Sequence, residues 1–297
     1  GLVEKEIVLV SINYRLGPFG YLAHPALTEE AGTSGNYGLL DQIAALQWVQ
    51  MNIASFGGDP DNVTIFGESA GAQSVSELMA SPLADNLYHK AILQSGVSSY
   101  NALHRANMAL PGVRSAEDAG QEFLSSFVSA TATADDLRAI PSGAIISRIG
   151  VRGDLAAYFL PNVDGKVLPE PIGQAIRDGS AHQVPVLAGY NADEATLFYD
   201  RIKSPTILRT NMTGALSARE AMLEDVFGVN SAKALQALYG MTSLEGWDKG
   251  ATDMLGDDLF GVHTRFLGRA NAAADQPTWL YHFTHTPHSK RQKIGAH

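Results

Sequence analysis

The 297-residue sequence contains no cysteine, which excludes disulfides, a thiolate metal site and a cysteine nucleophile. It has no run of about 18 apolar residues, so no segment reads as a membrane-spanning helix. Basic residues are the scarcer charge, with 21 Lys and Arg against 31 Asp and Glu and a net charge of −10. These cations are scattered rather than clustered, which argues against a nucleic-acid surface and favours small ligands that are neutral or cationic. No internal repeat, low-complexity tract or linker interrupts the chain. There is also no initiator Met and no leader-like segment: Gly1-Leu2-Val3-Glu4-Lys5-Glu6 runs straight into the apolar stretch Ile7 to Ile12. Domains do not normally begin one short stretch before a buried strand. The expectation is therefore a single domain over residues 1–297, incomplete at both ends, whose cellular location and oligomeric state are not legible.

What is present is ordinary globular material, 45% apolar and 18% charged, enough to bury a sizeable core. The chain is organised around residues 56–71. An apolar run suited to a short buried strand, Val63 to Phe66, ends in Gly67-Glu68-Ser69-Ala70-Gly71, and a stretch with helical spacing follows through Val75, Leu78 and Met79. In that strand–turn–helix setting Gly-x-Ser-x-Gly acts as a nucleophile elbow. The glycines keep bulk away where strand and helix approach each other. The Ala70 N–H, at the positive end of the following helix, is then the first donor for an oxyanion. The competing reading is a plain turn with a capping serine.

Taken in order, Ile7 to Ile12 is continuously apolar and β-branched, which predicts a strand covered on both faces. Asp41 to Asn52 places Ile43, Leu46, Val49 and Ile53 on one helical face, with Asp41 near the start to suit the dipole. The elbow helix runs to about Ala80, where Ser81-Pro82 stops it. Ala91 to Gln94 and Val184 to Ala188 read as buried strands, and Trp279 to Phe283 as a late one. Residues 101–183 look largely helical and partly cap-like, with a turn at Asn162-Val163-Asp164-Gly165, and residues 197–275 read as helices. Alternating strands and helices predict βαβ units and a parallel sheet.

Phe56-Gly57-Gly58, the Val63 and Ile65 pair and Gly67-x-Ser69-Ala70-Gly71 together resemble the serine signature of the type-B carboxylesterases, the cholinesterase-like branch of the α/β-hydrolases. Asn13-Tyr14-Arg15-Leu16-Gly17-Pro18-Phe19-Gly20, Gly35-Asn36-Tyr37-Gly38-Leu39-Leu40-Asp41-Gln42, Ala91-Ile92-Leu93-Gln94-Ser95-Gly96 and Gly189-Tyr190-Asn191-Ala192-Asp193-Glu194 resemble further blocks of that family. The likeness runs from end to end. It implies a mostly parallel central sheet with helices on both faces and a helical cap-like insertion, the early strands missing from this chain. Animal members usually carry disulfides, so the lack of cysteine points to a bacterial source. In the family the Arg at position 15 pairs with the Asp at position 41, an architectural contact.

A serine needs a base in contact and a third group to orient that base, and in this fold the chain order is Ser, acid, His. By position alone Asp193 and Glu194 are equal candidates for the acid, with a solvated acidic turn as the plain alternative. The resemblance selects Glu194, although Ala195 stands where the family usually has Gly. Five histidines follow, His263, His282, His285, His288 and His297. The family's Gly-x-x-His spacing, counted from Gly295, puts the catalytic His one position past His297, with His297 itself a lesser candidate. The loop that supplies the second oxyanion donors lies upstream in the family and is not seen before Ile7. Glu68 and Ser95 match family positions that support the site without touching substrate, against plain readings as an exposed elbow residue and a strand-end hydroxyl.

The resemblance implies a serine esterase acting through an acyl-enzyme on uncharged carboxylic esters, with a small-molecule ester as substrate, no metal or organic cofactor, no nucleic-acid partner and no membrane span. Leu197 stands where true cholinesterases carry an aromatic, which speaks against choline esters. A lipase would need a lid rich in exposed apolar residues, and a non-catalytic adhesion module of the same fold would lack the serine. The 297 residues alone, without base and upstream oxyanion loop, are expected to be nearly inactive.

Overall fold

The computed structural model describes residues 2–97, 114–151, 159–198 and 228–285, with single positions between 217 and 224. His288, His297 and the side chain of Leu197 lie outside these residues. Four strands, β1 (Thr64–Glu68), β2 (Lys90–Gln94), β3 (Val186–Asn191) and β4 (Thr278–Phe283), form one sheet in the order β1-β2-β3-β4. Every neighbouring pair is parallel, as the alternation of strands and helices predicts. Each strand must therefore be reached by a crossover, which helices provide.

Of the helices, α1 (Gly17–Tyr21), α2 (Pro25–Ala31) and α3 (Tyr37–Asn52) precede the sheet, and α4 (Ala70–Ala80) joins β1 to β2. The crossover to β3 includes α5 (Ala116–Leu124), α6 (Ala134–Arg138), α7 (Ser142–Val151) and α8 (Ile172–Asp178). That to β4 includes α9 (Val229–Tyr239), α10 (Leu244–Gly256) and α11 (Val262–Ala273).

The main core forms where one face of the sheet meets α3, α4, α8 and α11. Ile65, Ala91, Leu93, Val186 and Ala188 alternate inward and meet Leu39, Ile43, Val75, Leu78, Met79, Ile172 and Leu267. The intervening residues Phe66, Leu187 and Trp279 point the other way and remain 49%, 36% and 58% exposed. Among the described residues, two further helical clusters lie beside this core. One gathers Phe123, Leu124, Leu137 and Phe159 on Tyr21 and Leu22; the other gathers Met241, Trp247, Ala251 and Leu255 beside Ala195.

The expected strand at Ile7 to Ile12 does not form. Its residues belong to no ladder of the sheet, and Ile7, Val8, Leu9, Val10 and Ile12 are exposed. A β-branched run becomes a strand only where a neighbouring backbone offers a hydrogen-bonding edge, and none of the described strands lies beside it. Helix α3 begins at Tyr37, a turn earlier than the spacing of apolar residues suggests, so Asp41 lies past the first turn and does not serve the dipole. Its partner is Arg15, as the resemblance implies: the guanidinium donates through Nε and Nη2 at 2.8 and 2.7 Å, and the Arg15 backbone N–H at 2.9 Å. Those hydrogen bonds hold the Asp41 carboxyl below its usual value. The turn at Asn162 to Gly165 is present, with the Asp164 carboxylate accepting from the N–H groups of Lys166, Val167 and Leu168.

Candidate active site

The sequence Gly67 to Gly71 makes the sharp turn that its motif predicts. Ser69 sits between β1 and α4 at φ 54°, ψ −118°, a backbone region that a non-glycine residue occupies only when its surroundings hold it there. The Ser69 side chain does not cap α4, which removes the plain reading of a capping serine. Ala70 is the first residue of α4, so its N–H lies at the positive end of the helix. The two motif glycines differ in their reason. A Cβ on Gly67 would sit 2.3 Å from the backbone of Gly71, whereas a Cβ on Gly71 would meet nothing within 4 Å. Of the two, only Gly67 is required by the close approach of strand and helix.

Two backbone bonds tie the Ser69 turn, through β2, to the strand that leads to Glu194. The Ser69 N–H donates to the Gln94 carbonyl at 2.9 Å, and the Ser95 N–H to the Gly189 carbonyl at 2.8 Å. Ser95 is itself at positive φ, 53°, and buried, so it is part of the wall and not a loose strand-end hydroxyl. Gly96 fits directly under the elbow: a Cβ there would be 2.1 Å from the Ser69 carbonyl oxygen. Glu68 is exposed.

At the carboxyl end of β3 the chain turns through Ala192 and Asp193 into Glu194. Glu194 is buried, 2% exposed, and its Oε1 accepts from the Asn191 N–H at 2.6 Å. Asp193 accepts instead from the Thr196 hydroxyl within the same turn. Ala195, where the resemblance leads one to expect Gly, is buried among the Met241 and Trp247 cluster, so its methyl is accommodated. Behind the turn, α10 passes into α11 through a π-helical segment at Asp257–Gly261, and a Cβ on Gly256 would touch Glu194 at 3.8 Å. Such π insertions are frequent at functional sites.

The histidines divide. His263, on α11, is buried, its pKa lowered by loss of solvent, and its ring is hydrogen-bonded to the Asp258 backbone. His282, on β4, lies against the Tyr190 ring at 4.8 Å between centroids. His285 lies just beyond β4 near Phe283. Each of these three therefore has a place in the wall or rim. Sequence reading missed Tyr281, which pairs with Gly189 in the β3–β4 register and stands near Glu68 and Glu194. Among the described residues no group of His, Asp and Glu could hold a metal ion, and no helix is long and apolar enough to cross a membrane.

A parallel sheet carrying a serine at positive φ between strand and helix, with a buried carboxylate after a later strand, defines an α/β-hydrolase. The sequence matches the carboxylesterase family over residues 1–297, and the chain belongs to that family. Fumonisin B1 esterase of Sphingopyxis macrogoltabida is 36% identical over 300 residues, covering 98% of this chain and 51% of that protein. Para-nitrobenzyl esterase of Bacillus subtilis (strain 168) is 36% identical over 285 residues, covering 96% and 54%. A crystal structure of a carboxylesterase from Geobacillus stearothermophilus superposes with a TM-score of 0.72 at 28% identity, over 96% of this chain and 57% of that one. The chain thus spans about half the length of the relatives it matches.

Proposed function

We propose that this chain carries the nucleophile and the acid of a serine carboxylic-ester hydrolase, within a single α/β-hydrolase domain. Ser69 attacks the ester carbonyl, a histidine takes its proton, and Glu194 orients that histidine. The Ala70 N–H stabilises the oxyanion, and water then releases the acid from the acyl-enzyme. Glu68 and Ser95 support the site from behind. The observation that carries this reading is the Ser69 backbone, held at φ 54° with its side chain not spent on capping α4. The base comes from the segment beyond β4, which in chain order follows Glu194.

The substrate is an uncharged ester with at least one apolar side. The net charge of −10 disfavours anionic esters. Relatives named for fumonisin B1 and para-nitrobenzyl esters support the ester class without selecting one member of it. The test is hydrolysis of para-nitrophenyl butyrate by the protein carrying this chain, with labelling of Ser69 by a fluorophosphonate mapped by mass spectrometry. Ser69→Ala is expected to lose about 10⁴- to 10⁶-fold in kcat and all labelling. Full turnover by Ser69→Ala, or label on another serine, overturns the reading.

A further inference from the structure

The parallel registers place four residues in one row across the carboxyl end of the sheet. Glu68 pairs with Gln94, Gln94 with Gly189, and Gly189 with Tyr281. In-register neighbours of a parallel sheet point to the same face, so the side chains of Glu68, Gln94 and Tyr281 share one side. Gly189 has no side chain, and its place in the row is filled by the Tyr281 ring: a Cβ on Gly189 would lie 2.2 Å from that ring. Leaning over Gly189, the phenol comes within hydrogen-bonding reach of the Gln94 side chain, an interaction that favours the phenolate. Negative groups also lie near the phenol. Those are Glu194, from the turn after β3, and Glu68, at the end of β1; both add negative potential at Tyr281. Among the described residues, Arg265 and Asp257 lie on the opposite side of β4, where Arg265 donates to the Tyr190 hydroxyl and lies 3.9 Å from Asp257. His282 lies on that side too, against Tyr190.

We propose that Tyr281 is a positioning residue of the ester-cleaving site, its hydroxyl offsetting the paired negative charge of Glu68 and Glu194. This inference rests on the ester-hydrolase reading above. Burial keeps the phenol protonated, with its pKa above the ordinary value despite the Gln94 bond, so the hydroxyl presents a positive end throughout the working pH range. With the hydroxyl in place, less negative field reaches the histidine that Glu194 orients. Without it, both carboxylates act on the imidazolium unopposed and raise its pKa.

The test is Tyr281→Phe, which keeps the ring on Gly189 and removes only the hydroxyl. The acid limb of kcat against pH is expected to move up by about half a unit, with kcat down up to about threefold on that limb and KM within about twofold. Gln94→Met removes the bond from the other end and is expected to move the limb in the same direction, which keeps the test open if Tyr281→Phe folds poorly. A Tyr281→Phe protein that labels at Ser69 and has the parent pH profile overturns this inference alone. If the parent protein itself neither hydrolyses the ester nor labels at Ser69, the ester-hydrolase reading falls and this inference falls with it.

Discussion

Gly96→Ala is expected to lower kcat/KM by about 10²-fold while leaving a folded protein. The added methyl would stand 2.1 Å from the Ser69 carbonyl oxygen and 2.9 Å from the Ala72 side chain, distances that no relaxation of a flexible neighbour can relieve, because the first is backbone. The elbow must move, and displacing a reacting group by about 1 Å costs about that factor. Overpacking of this kind also destabilises by about 1–3 kcal/mol, a fall of several degrees in Tm. Gly71→Ala is the internal control. It is a glycine of the motif, yet its Cβ would meet nothing within 4 Å and its φ is not positive, so activity within about threefold of the parent is expected. Equal losses at both positions would show that the motif acts through something other than the contact between Ser95-Gly96 and the elbow. Steady-state kinetics and thermal melts of the two variants decide it.

The second large effect concerns Glu77, one turn from the end of α4, and is read in stability. Glu77 is 1% exposed, its Oε1 has no hydrogen-bond partner among the described residues, and burial pushes its pKa up to about 8 from 4.5 against a hydrogen bond from Gln73. In the unfolded chain the carboxyl ionises near 4.5; in the folded chain it stays protonated to about 8. Between those values the folded state binds the extra proton, so stability is fully present below pH 4.5 and is lost as pH rises to about 8. Glu77→Gln removes the titration. Relative to the parent it is expected to be near neutral at pH 4 and more stable by about 4 kcal/mol at pH 8. Urea midpoints of both proteins from pH 4 to 8 measure it, and parallel curves would mean that Glu77 is solvated.

Three of the four strands were legible to within about two residues, because short apolar β-branched runs bounded by turn residues have few other uses. The failures share a cause: a glycine or a partner whose role is tertiary. Helix α3 starts four residues before its amphipathic pattern and runs through Gly38, where a Cβ would strike the Arg15 carbonyl and the Tyr21 ring, both at 2.6 Å. Strand β3 continues past Ala188 to Asn191 for the same reason, since Gly189 is not a stop but the seat of the Tyr281 ring. Its start waits until Val186, because Pro185 has no N–H to give, although its carbonyl still accepts from Ala91. In the candidate site, Ser69 and Glu194 sit in local motifs and could be read from the chain. Tyr281 could not, because its place depends on the register of β3 against β4, which no local pattern specifies. Ile7 to Ile12 shows the converse, a strong strand sequence that joins no ladder of the described sheet.

The uncovered side of the sheet has a calorimetric consequence. Phe66, Leu187, Trp279 and Phe283, with Ile7, Val8, Leu9 and Ile12, already meet water in the folded chain, so unfolding wets less new hydrocarbon than a protein of this length would ordinarily release. The heat-capacity increment on melting this chain should therefore fall below the usual ~12–15 cal/mol/K per residue, and the slope of stability against urea should be correspondingly shallow. Its stability curve would be broad and low, changing little between refrigerator and room temperature, with a melting endotherm to match.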